Sequence, residues 1–239
     1  MSKLQWDVVG QRRYETGVDH GVLYPKSGSG YAKGVAWNGL TNVNERPSGG
    51  ELSAVWADNI KYLNLRATEN FGATIQAYTY PDEWEECDGS KTLANGLVAN
   101  QQARKGFGFS YRTRIGNDVD GDSAGYKIHL IYNAEAAPSE RGYNTVNDNP
   151  EAIQFSWEVD TTPIDTGIEG FRPTAHLIID STKFTTTEQK AILKQIEDLI
   201  YGTDAVEADV EHNIAAADAT DPTLPTPKQL YNLITGEND

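Results

Sequence analysis

The sequence predicts a mainly β protein built from antiparallel strands, with one amphipathic α-helix after the last strand. Between Gly30 and about Ser181, short runs rich in aromatic and β-branched residues are separated by Gly, Pro, Asn and Asp, which is typical of antiparallel β-structure. Within the clearest runs, apolar and polar residues alternate with the period of a strand. After the last run, apolar residues recur at helical spacing. The pattern predicts about eight strands and one helix.

Two segments, residues 106–115 and residues 152–160, show the strand alternation most clearly. In the first, one face holds Phe107, Phe109, Tyr111, Thr113 and Ile115, and the other holds Ser110, Arg112 and Arg114. In the second, one face holds Ile153, Phe155, Trp157 and Val159, and the other holds Gln154, Ser156, Glu158 and Asp160. Each segment is therefore predicted to be a strand with one buried face and one polar face.

The remaining strands follow from shorter runs of the same composition. They are predicted at residues 35–44, 51–57, 59–68, 73–80, 126–134 and 174–180. A tight turn over residues 117–125 joins two of these strands, because Asn, Asp and Gly are concentrated there. Residues 81–104 and 135–151 are too long for hairpin turns and are predicted to be loops.

One helix is predicted over residues 186–201. Thr185-Thr-Thr-Glu188 has the sequence of a capping box, and Gly202 supplies a stop. The apolar stripe comprises Ile192, Leu193, Ile196, Leu199 and Ile200. We expect this stripe to pack on the sheet, so residues 1–202 are predicted to form one β domain that includes the helix.

Residues 203–239 differ in composition from the rest of the chain. They contain eight acidic residues against Lys228 alone, and the segment Asp221-Pro-Thr-Leu-Pro-Thr-Pro227 is stiff and extended. We interpret them as an acidic, proline-containing C-terminal arm that the folded core does not require. A short apolar stretch at Leu230, Leu233 and Ile234 could dock on a neighbouring molecule.

The charge balance argues against tight binding of DNA but is compatible with passage of DNA through a channel. With 35 acidic and 20 basic residues, the chain has a formal net charge of −15, which argues against wrapping DNA by neutralising its phosphates. A passage with acidic walls would instead repel phosphates and let a duplex slide through. The simpler alternative is that acidity keeps an abundant protein soluble.

Cysteine usage and hydropathy indicate where the chain folds. The single cysteine, Cys87, cannot form an internal disulfide, so we expect folding in a reducing cytoplasm. Neither a signal peptide nor an apolar run long enough to span a membrane is apparent in the sequence. A protein without contact to a membrane is therefore predicted.

Two acidic clusters contain residue types that could carry chemistry. In residues 81–88 several carboxylates surround Cys87, but no nearby helix start or basic cluster would activate the thiol. A loop that places Trp84 at a subunit contact explains this segment better. Asp118-Val-Asp120-Gly-Asp122 resembles the start of a calcium loop, but Ser123 and His129 occupy the positions of its required glycine and glutamate.

The four histidines and the glycine motifs predict no site either. His20, His129, His176 and His212 occur in unrelated sequence contexts, without the spacing of a metal-binding pair. Neither a nucleophile elbow nor a phosphate-binding glycine loop is present in the sequence. We therefore predict no catalytic, cofactor-binding or metal-binding residues, no cofactor, and a protein that is not an enzyme.

Four segments together form a specific combination of motifs. They are residues 66–89, with Tyr78-Thr-Tyr-Pro-Asp-Glu-Trp84; residues 105–118, with Lys105-Gly-Phe-Gly-Phe-Ser-Tyr-Arg112; residues 125–134, with Gly125-Tyr-Lys-Ile-His129; and Ile153-Gln-Phe-Ser-Trp-Glu-Val159. These segments resemble the major tail proteins of long-tailed phages that infect Gram-positive bacteria. The resemblance extends over residues 4–202. As a combination, it is far more specific than any single motif above.

This resemblance implies a fold and an assembly. The fold is a β-sandwich or partial barrel of two packed antiparallel sheets with one flanking α-helix. The implied assembly is a hexameric ring, and rings stack into a tail tube around the tape measure protein, with tail terminator and distal tail proteins as further partners. The tube belongs to the virion, is assembled in the host cytoplasm, and conducts DNA through its lumen without specific binding.

The implied tube assigns roles to parts of the sequence. The long loops over residues 81–104 and 135–151 are candidates for contacts between subunits. Glu158 and Asp160 share the polar face of one strand, about 7 Å apart, and are candidates for charges in the lumen. Their position on an outer face of the tube is the alternative.

Two other classes of function remain open at this stage. A β-sandwich carbohydrate-binding or adhesion module would share the strand pattern and would use Tyr31, Trp37 and Trp56 as exposed aromatic residues. An enzyme would require a concave pocket that converges on Glu83, Glu85 and Glu86. Both alternatives predict a monomer.

Overall fold

The computed structural model describes residues 3–146, 148, 151–206 and 216–237, and these form a mainly β protein. The strands are β1 (Tyr14–Ser27), β2 (Gly30–Tyr31), β3 (Val35–Trp37), β4 (Leu40–Glu45), β5 (Ser48–Gly49), β6 (Leu52–Ala57), β7 (Ile60–Arg66), β8 (Glu69–Asn70), β9 (Gly72–Ala77), β10 (Lys91–Ala94), β11 (Leu97–Ala99), β12 (Phe107–Asn117), β13 (Gly121–Ala136), β14 (Phe155–Thr161) and β15 (His176–Asp180). The helices are α1 (Trp84–Asp88), α2 (Thr187–Tyr201) and α3 (Pro227–Thr235), with a 3₁₀ turn at Ser181–Lys183. The predicted mainly β fold class is confirmed.

One antiparallel sheet of nine strands dominates the fold. Its main path runs β2-β1-β12-β13-β14-β9-β4, while β15 pairs with β13 and β3 pairs with β1. The long strand β13 connects the two halves, because it pairs with β12 and β15 near Ile128 and with β14 at Ala134 to Ala136. The two predicted layers are therefore present, but they are parts of one continuous sheet.

The main core lies between the two layers. Leu23, Phe107, Phe109 and Ile131 come from the layer of β1, β12 and β13, and they belong to the same buried cluster as Ile75, Trp157 and Val159 of the opposite layer. Trp37, Trp84 and Trp157 meet within it, with ring centroids 4.6–5.4 Å apart. Burial of such large rings makes this cluster a principal source of stability.

A second core lies on the outer side of the β1-β12-β13 layer. Tyr24, Ile128, Leu130 and Tyr132 of the sheet are buried together with apolar residues of α2 and α3. The helical contribution comprises Leu193, Ile196, Ile200 and Leu230. The helices therefore cover this face of the sheet, as the apolar stripe of α2 predicts.

The capping box of α2 is shifted by one residue from its predicted position. The hydroxyl of Thr186 accepts a hydrogen bond from the backbone N–H of Gln189, and the Gln189 side chain accepts one from the N–H of Thr186. The predicted pair of Thr185 with Glu188 was wrong, because Gln189 serves as the reciprocal partner equally well. The helix otherwise matches the prediction and ends at Gly202.

Strand β1 precedes Gly30, the predicted start of the β-structure, so that predicted start was wrong. This strand pairs with β12 and carries the buried residues Leu23 and Tyr24. Its register with β12 shifts twice, between Thr16 and Asp19 and again between Asp19 and Val22. Such irregularities break the two-residue period, so the apolar alternation cannot reveal this strand.

The polar face predicted for residues 106–115 is only partly exposed. Ser110 is fully buried, whereas Arg114 lies near the surface. Gly108 explains the difference, because a side chain there would overlap Leu224, which packs over this glycine from the C-terminal segment. The strand prediction is confirmed, but the first half of β12 is covered on both faces.

The described part of the C-terminal segment packs on the body of the same chain. Leu224 and Leu230 are buried in the second core, and helix α3 contacts α2. The hydroxyl of Tyr132 donates to the carbonyl of Pro225, and the N–H of Thr223 donates to the carbonyl of Leu199. The apolar stretch from Leu230 onward therefore docks within its own chain, as a second flanking helix. Residues 207–215 of the predicted arm lie outside the described residues.

The loop predicted over residues 81–104 is partly ordered secondary structure, comprising α1 and the β10–β11 hairpin. Trp84 is fully buried in the main core, so its predicted role at a subunit contact was wrong. The reason is the short helix α1, which turns Trp84 and Cys87 inward. Among the described residues, no helix is long and apolar enough to cross a membrane.

Candidate assembly surfaces

The acidic cluster over residues 81–88 does not form a convergent site. Glu85 accepts a hydrogen bond from Thr92, whereas Glu86 forms an ion pair with Lys105 at 2.9 Å. These carboxylates serve separate partners, so the arrangement lacks the shared substrate position that acid–base catalysis requires.

Cys87 is a buried packing residue. Burial raises the pKa of its thiol to about 12, so the thiol stays protonated at neutral pH and is a poor nucleophile. We expect native protein to react slowly with a thiol reagent at pH 8 and unfolded protein to react rapidly.

Cys87→Ser should lower the free energy of unfolding by only about 1–2 kcal/mol. Denaturant unfolding of both proteins measures this, and a larger loss would show that the thiol does more than fill space.

The turn between β12 and β13 comprises Asp118 to Asp120 and is shorter than the predicted residues 117–125, because β13 already begins at Gly121. Asn117 accepts hydrogen bonds from the N–H groups of Val119 and Asp120. Asp118 accepts from the N–H of Gly10, and Asp122 pairs with Arg114 at 3.1 Å. The acidic side chains thus have separate partners and do not converge as calcium ligands would.

The histidines do not all lie apart. His129 and His176 lie side by side, with Nδ1 of His129 at 3.2 Å from Nε2 of His176. The contact arises because β13 and β15 pair with Ile131 opposite His176, which brings the two rings into a diagonal contact. His20 contacts Asp19 instead. The interpretation that these histidines have unrelated positions was therefore wrong for this pair. His212 lies outside the described residues.

A protruding hairpin of β6 and β7 is the first candidate assembly surface. Its turn at Asp58 and Asn59 has positive φ at both residues, which suits a tight two-residue hairpin connection. Among the residues that the structure describes, the two strands pair only with each other, and every residue in them is exposed. The exposed apolar side chains are Leu52, Val55, Trp56, Ile60, Tyr62, Leu63 and Leu65.

This hairpin has the composition of a buried element, but nothing in the described part of the chain covers it. Val55 lies opposite Leu63, and Trp56 is 66% exposed. An isolated two-stranded hairpin is marginally stable in water, and a contiguous exposed apolar patch marks an interaction site. The predicted strands over residues 51–57 and 59–68 are confirmed, but not as neighbours of the main sheet. The arrangement indicates a surface that another molecule covers.

The outer face of the β4-β9-β14 layer is the second candidate surface. Paired positions along these strands place polar residues on the side opposite Ile75 and Trp157. The set comprises Asn42, Asn44, Thr74, Gln76, Ser156, Glu158 and Asp160. Arg46 beside this face is paired with Glu158 at 3.2 Å. We call this set the polar sheet face.

The polar sheet face and the helical side make the molecule two-sided. The helices cover the outer side of the β1-β12-β13 layer, whereas the polar sheet face carries amides, hydroxyls and carboxylates. Glu158 and Asp160 are exposed on it, and Trp157 and Val159 point into the core, as the alternation predicts. A smooth sheet without a run of lysine or arginine suits a wall along which an anionic polymer passes.

Two strands offer open edges for pairing with another subunit. In the described part of the chain, β4 pairs only with β9, and β15 pairs only with β13. Unpaired strand edges favour addition of a strand from another molecule. Because the two edges belong to different layers, they provide two different surfaces, as a closed ring of identical subunits requires.

Comparisons with known proteins identify no family. No family model and no curated protein matches the chain. The chain is similar to a chain of the anti-feeding prophage baseplate, with 9% identity, a TM-score of 0.35, and coverage of 74% of this chain and 97% of that one. A chain of an extracellular contractile injection system sheath-tube complex in the extended state gives 12% identity, a TM-score of 0.27, and coverage of 74% and 94%. Both TM-scores are low, so these similarities support no functional conclusion.

Proposed function

We propose that this protein is the structural subunit of a phage tail tube, in which hexameric rings stack into a channel for the genome. The observation that carries the proposal is the β6–β7 hairpin, because it exposes an apolar surface on a ribbon that nothing in the described chain covers. In a stacked ring, an adjacent subunit would bury this surface. The open edges of β4 and β15 supply the lateral contacts.

In this assembly the polar sheet face lines the lumen and helices α2 and α3 face outward. Charge supports this orientation, because Glu158 and Asp160 on that face repel DNA phosphates. The whole body over residues 1–202 carries 27 acidic and 19 basic residues, a net charge of −8. Each contact of a phosphate with a lysine or arginine would bind the duplex to the wall, because the release of counterions makes such contacts favourable. A wall without such contacts lets DNA slide.

The proposed role assigns partners and location. The subunit assembles with itself in the host cytoplasm, encloses the tape measure protein, and meets tail terminator and distal tail proteins at the tube ends. The mature location is the virion tail, and the long-tailed phages of Gram-positive bacteria are the group that the sequence resembles. The role is mechanical and needs no catalysis.

The carbohydrate-binding alternative is weakened by the placement of its aromatic residues. Trp37 is buried in the main core, and the hydroxyl oxygen of Tyr31 accepts a hydrogen bond from the backbone N–H of Asn133. Trp56 alone of the three is strongly exposed, and it belongs to the hairpin. A glycan platform needs several exposed rings on one surface, so assembly explains Trp56 better.

Size-exclusion chromatography followed by negative-stain microscopy tests the proposed function. Concentrated wild-type protein is expected to elute as rings or larger particles and to form tubes on the grid. The hexameric state distinguishes a tube subunit from a binding module or an enzyme. A particle that stays monomeric at millimolar subunit concentration would contradict the proposal.

The polar sheet face gives a prediction about DNA passage. Glu158→Lys combined with Asp160→Lys should leave tube assembly intact, because both side chains are exposed and the lost pair with Arg46 contributes only about 0–1 kcal/mol. Genome ejection from phage carrying the pair should slow, since the new cations bind phosphates. A matched pair outside this face, Glu169→Lys with Asp218→Lys, should not slow ejection. Equal ejection rates for both variants would place Glu158 and Asp160 outside the channel.

A further inference from the structure

Three side chains from three strands converge at one end of the main core. They are Glu45 at the end of β4, His129 in β13 and His176 at the start of β15, and we call them the two-histidine cluster. Oε1 of Glu45 lies 3.3 Å from Nδ1 of His129 and 3.9 Å from Nε2 of His176. The two histidine nitrogens are 3.2 Å apart. One potential ligand atom from each residue therefore lies within 3.9 Å of the other two.

The fold brings these residues together from both layers of the sheet. His129 and His176 are diagonal neighbours on β13 and β15, whereas Glu45 comes from β4 in the opposite layer. Tyr111 pairs directly with His129 across β12 and β13, and their rings stack at 4.5 Å. The cluster thus spans the gap between the layers at the point where the chain leaves β4 toward the β6–β7 hairpin.

The spacing of the three atoms fits a small tetrahedral metal ion. An ion that binds nitrogen and oxygen at about 2.0–2.2 Å holds neighbouring ligand atoms about 3.3–3.5 Å apart. The distances of 3.2 and 3.3 Å match this geometry, and a small rotation of the Glu45 side chain would close the distance of 3.9 Å. Glu45 is partly exposed, so it leaves a path for the ion and a position for water.

The surroundings hold the ligands in orientation. The hydroxyl of Thr113 lies 3.2 Å from Nε2 of His129, and the hydroxyl of Tyr111 donates to Oε1 of Glu45 at 2.7 Å. Phe71 packs on the ring of His176, with centroids 4.4 Å apart. Outer contacts of this kind orient metal ligands and select the histidine tautomer.

Both histidines are held in the form that binds a metal. Burial, reinforced by the neighbouring His176, lowers the pKa of His129 to about 4, and burial also lowers the pKa of His176. Their imidazoles are therefore neutral at pH 7, and each neutral ring has one nitrogen whose lone pair can coordinate a metal. Mixed nitrogen and carboxylate ligands favour first-row transition metals over Mg²⁺ or Ca²⁺.

We propose that Glu45, His129 and His176 form a site for a divalent transition-metal ion, best suited to Zn²⁺, with water completing its coordination. The ion would join the two layers of the sheet and fix the base of the β6–β7 hairpin. The site does not depend on the proposed function, because its geometry lies within one chain.

Metal titration of the purified full chain tests this site. Isothermal titration with Zn²⁺ is expected to show one ion per chain, and Zn²⁺ should raise Tm, because binding to the native state stabilises it. Co²⁺ should give the visible absorption of a tetrahedral site, whereas Mg²⁺ should leave Tm unchanged. Absence of stoichiometric Zn²⁺ binding would overturn the proposal and leave the cluster as a hydrogen-bonded network.

Variants separate this site from adventitious binding. Glu45→Gln retains an acceptor for Tyr111, so it should fold normally while weakening Zn²⁺ affinity by at least about tenfold. His176→Asn should do the same, and circular dichroism verifies its fold. The matched control is His20→Asn, because His20 is an exposed histidine beside Asp19 and outside the cluster. Unchanged affinity in Glu45→Gln and His176→Asn, or a loss in His20→Asn, would overturn the assignment.

Discussion

Removal of residues 221–239 is expected to abolish cooperative thermal unfolding of the protein. Leu224 and Leu230 are buried against the sheet and α2, and truncating a buried leucine to alanine typically costs about 2–5 kcal/mol. Two such losses approach the whole stability of a typical domain, about 5–15 kcal/mol. The deletion also exposes the apolar residues of α2 and the sheet to water.

Backbone contacts add to this effect. The carbonyl of Pro222 accepts a hydrogen bond from the N–H of Gly34, and the carbonyl of Pro225 accepts one from Tyr132. The buried contacts therefore predict the opposite of the dispensable arm expected from composition. Differential scanning calorimetry of the deletion, of Leu230→Ala and of a control that lacks only residues 236–239 measures the loss. A deletion protein with the wild-type Tm would show that the segment lies on the body without stabilising it.

Charge introduced into the β6–β7 hairpin is expected to stop assembly and leave the monomer folded. Val55→Asp with Leu63→Asp changes two paired, exposed side chains, so the intrachain cores are untouched. In a tube these side chains would be buried by an adjacent subunit. Burial of two unpaired carboxylates in the contact between subunits costs about several kcal/mol per contact. We expect this cost to prevent the rings from stacking.

Sedimentation velocity and thermal denaturation together measure this result. The variant should sediment as small particles with a wild-type Tm, whereas wild-type protein forms large particles. Ile234→Asp is the matched control, because Ile234 is exposed on α3 on the proposed outer side. If Ile234→Asp blocks assembly and the hairpin variant does not, the helical side and not the β6–β7 hairpin is the assembly surface.

The parts of the fold with regular periodicity were predictable from sequence. Strand β14 buries Trp157 and Val159 and exposes Glu158, as alternation requires. Helix α2 buries Leu193, Ile196 and Ile200 of its predicted apolar stripe, whereas Leu199 is exposed. Strand β1 was not predictable, because two register shifts interrupt its alternation. Helix α3 is too short for its few apolar residues to establish a helical period, although Thr226 and Pro227 form a regular helix start.

The candidate surfaces depend on information that one-dimensional patterns lack. The composition of residues 51–57 and 59–68 predicts the strands of the hairpin but cannot show that both of its faces are left uncovered by the described residues. The contact of His129 with His176 follows from the register of β13 and β15, which sequence spacing does not encode. Trp84 is a further example, because it lies in a segment predicted to be a loop, yet a five-residue helix places it in the core.

Cryo-electron microscopy of the assembled protein tests the central claim most directly, since a reconstruction shows both the ring and the orientation of each subunit. We predict stacked hexameric rings in which Glu158 and Asp160 on the polar sheet face line the lumen, α2 and α3 form the outer surface, and the β6–β7 hairpin is buried against an adjacent subunit. A tube with the helices around its lumen, or a hairpin that remains exposed to solvent in the assembly, would contradict this account.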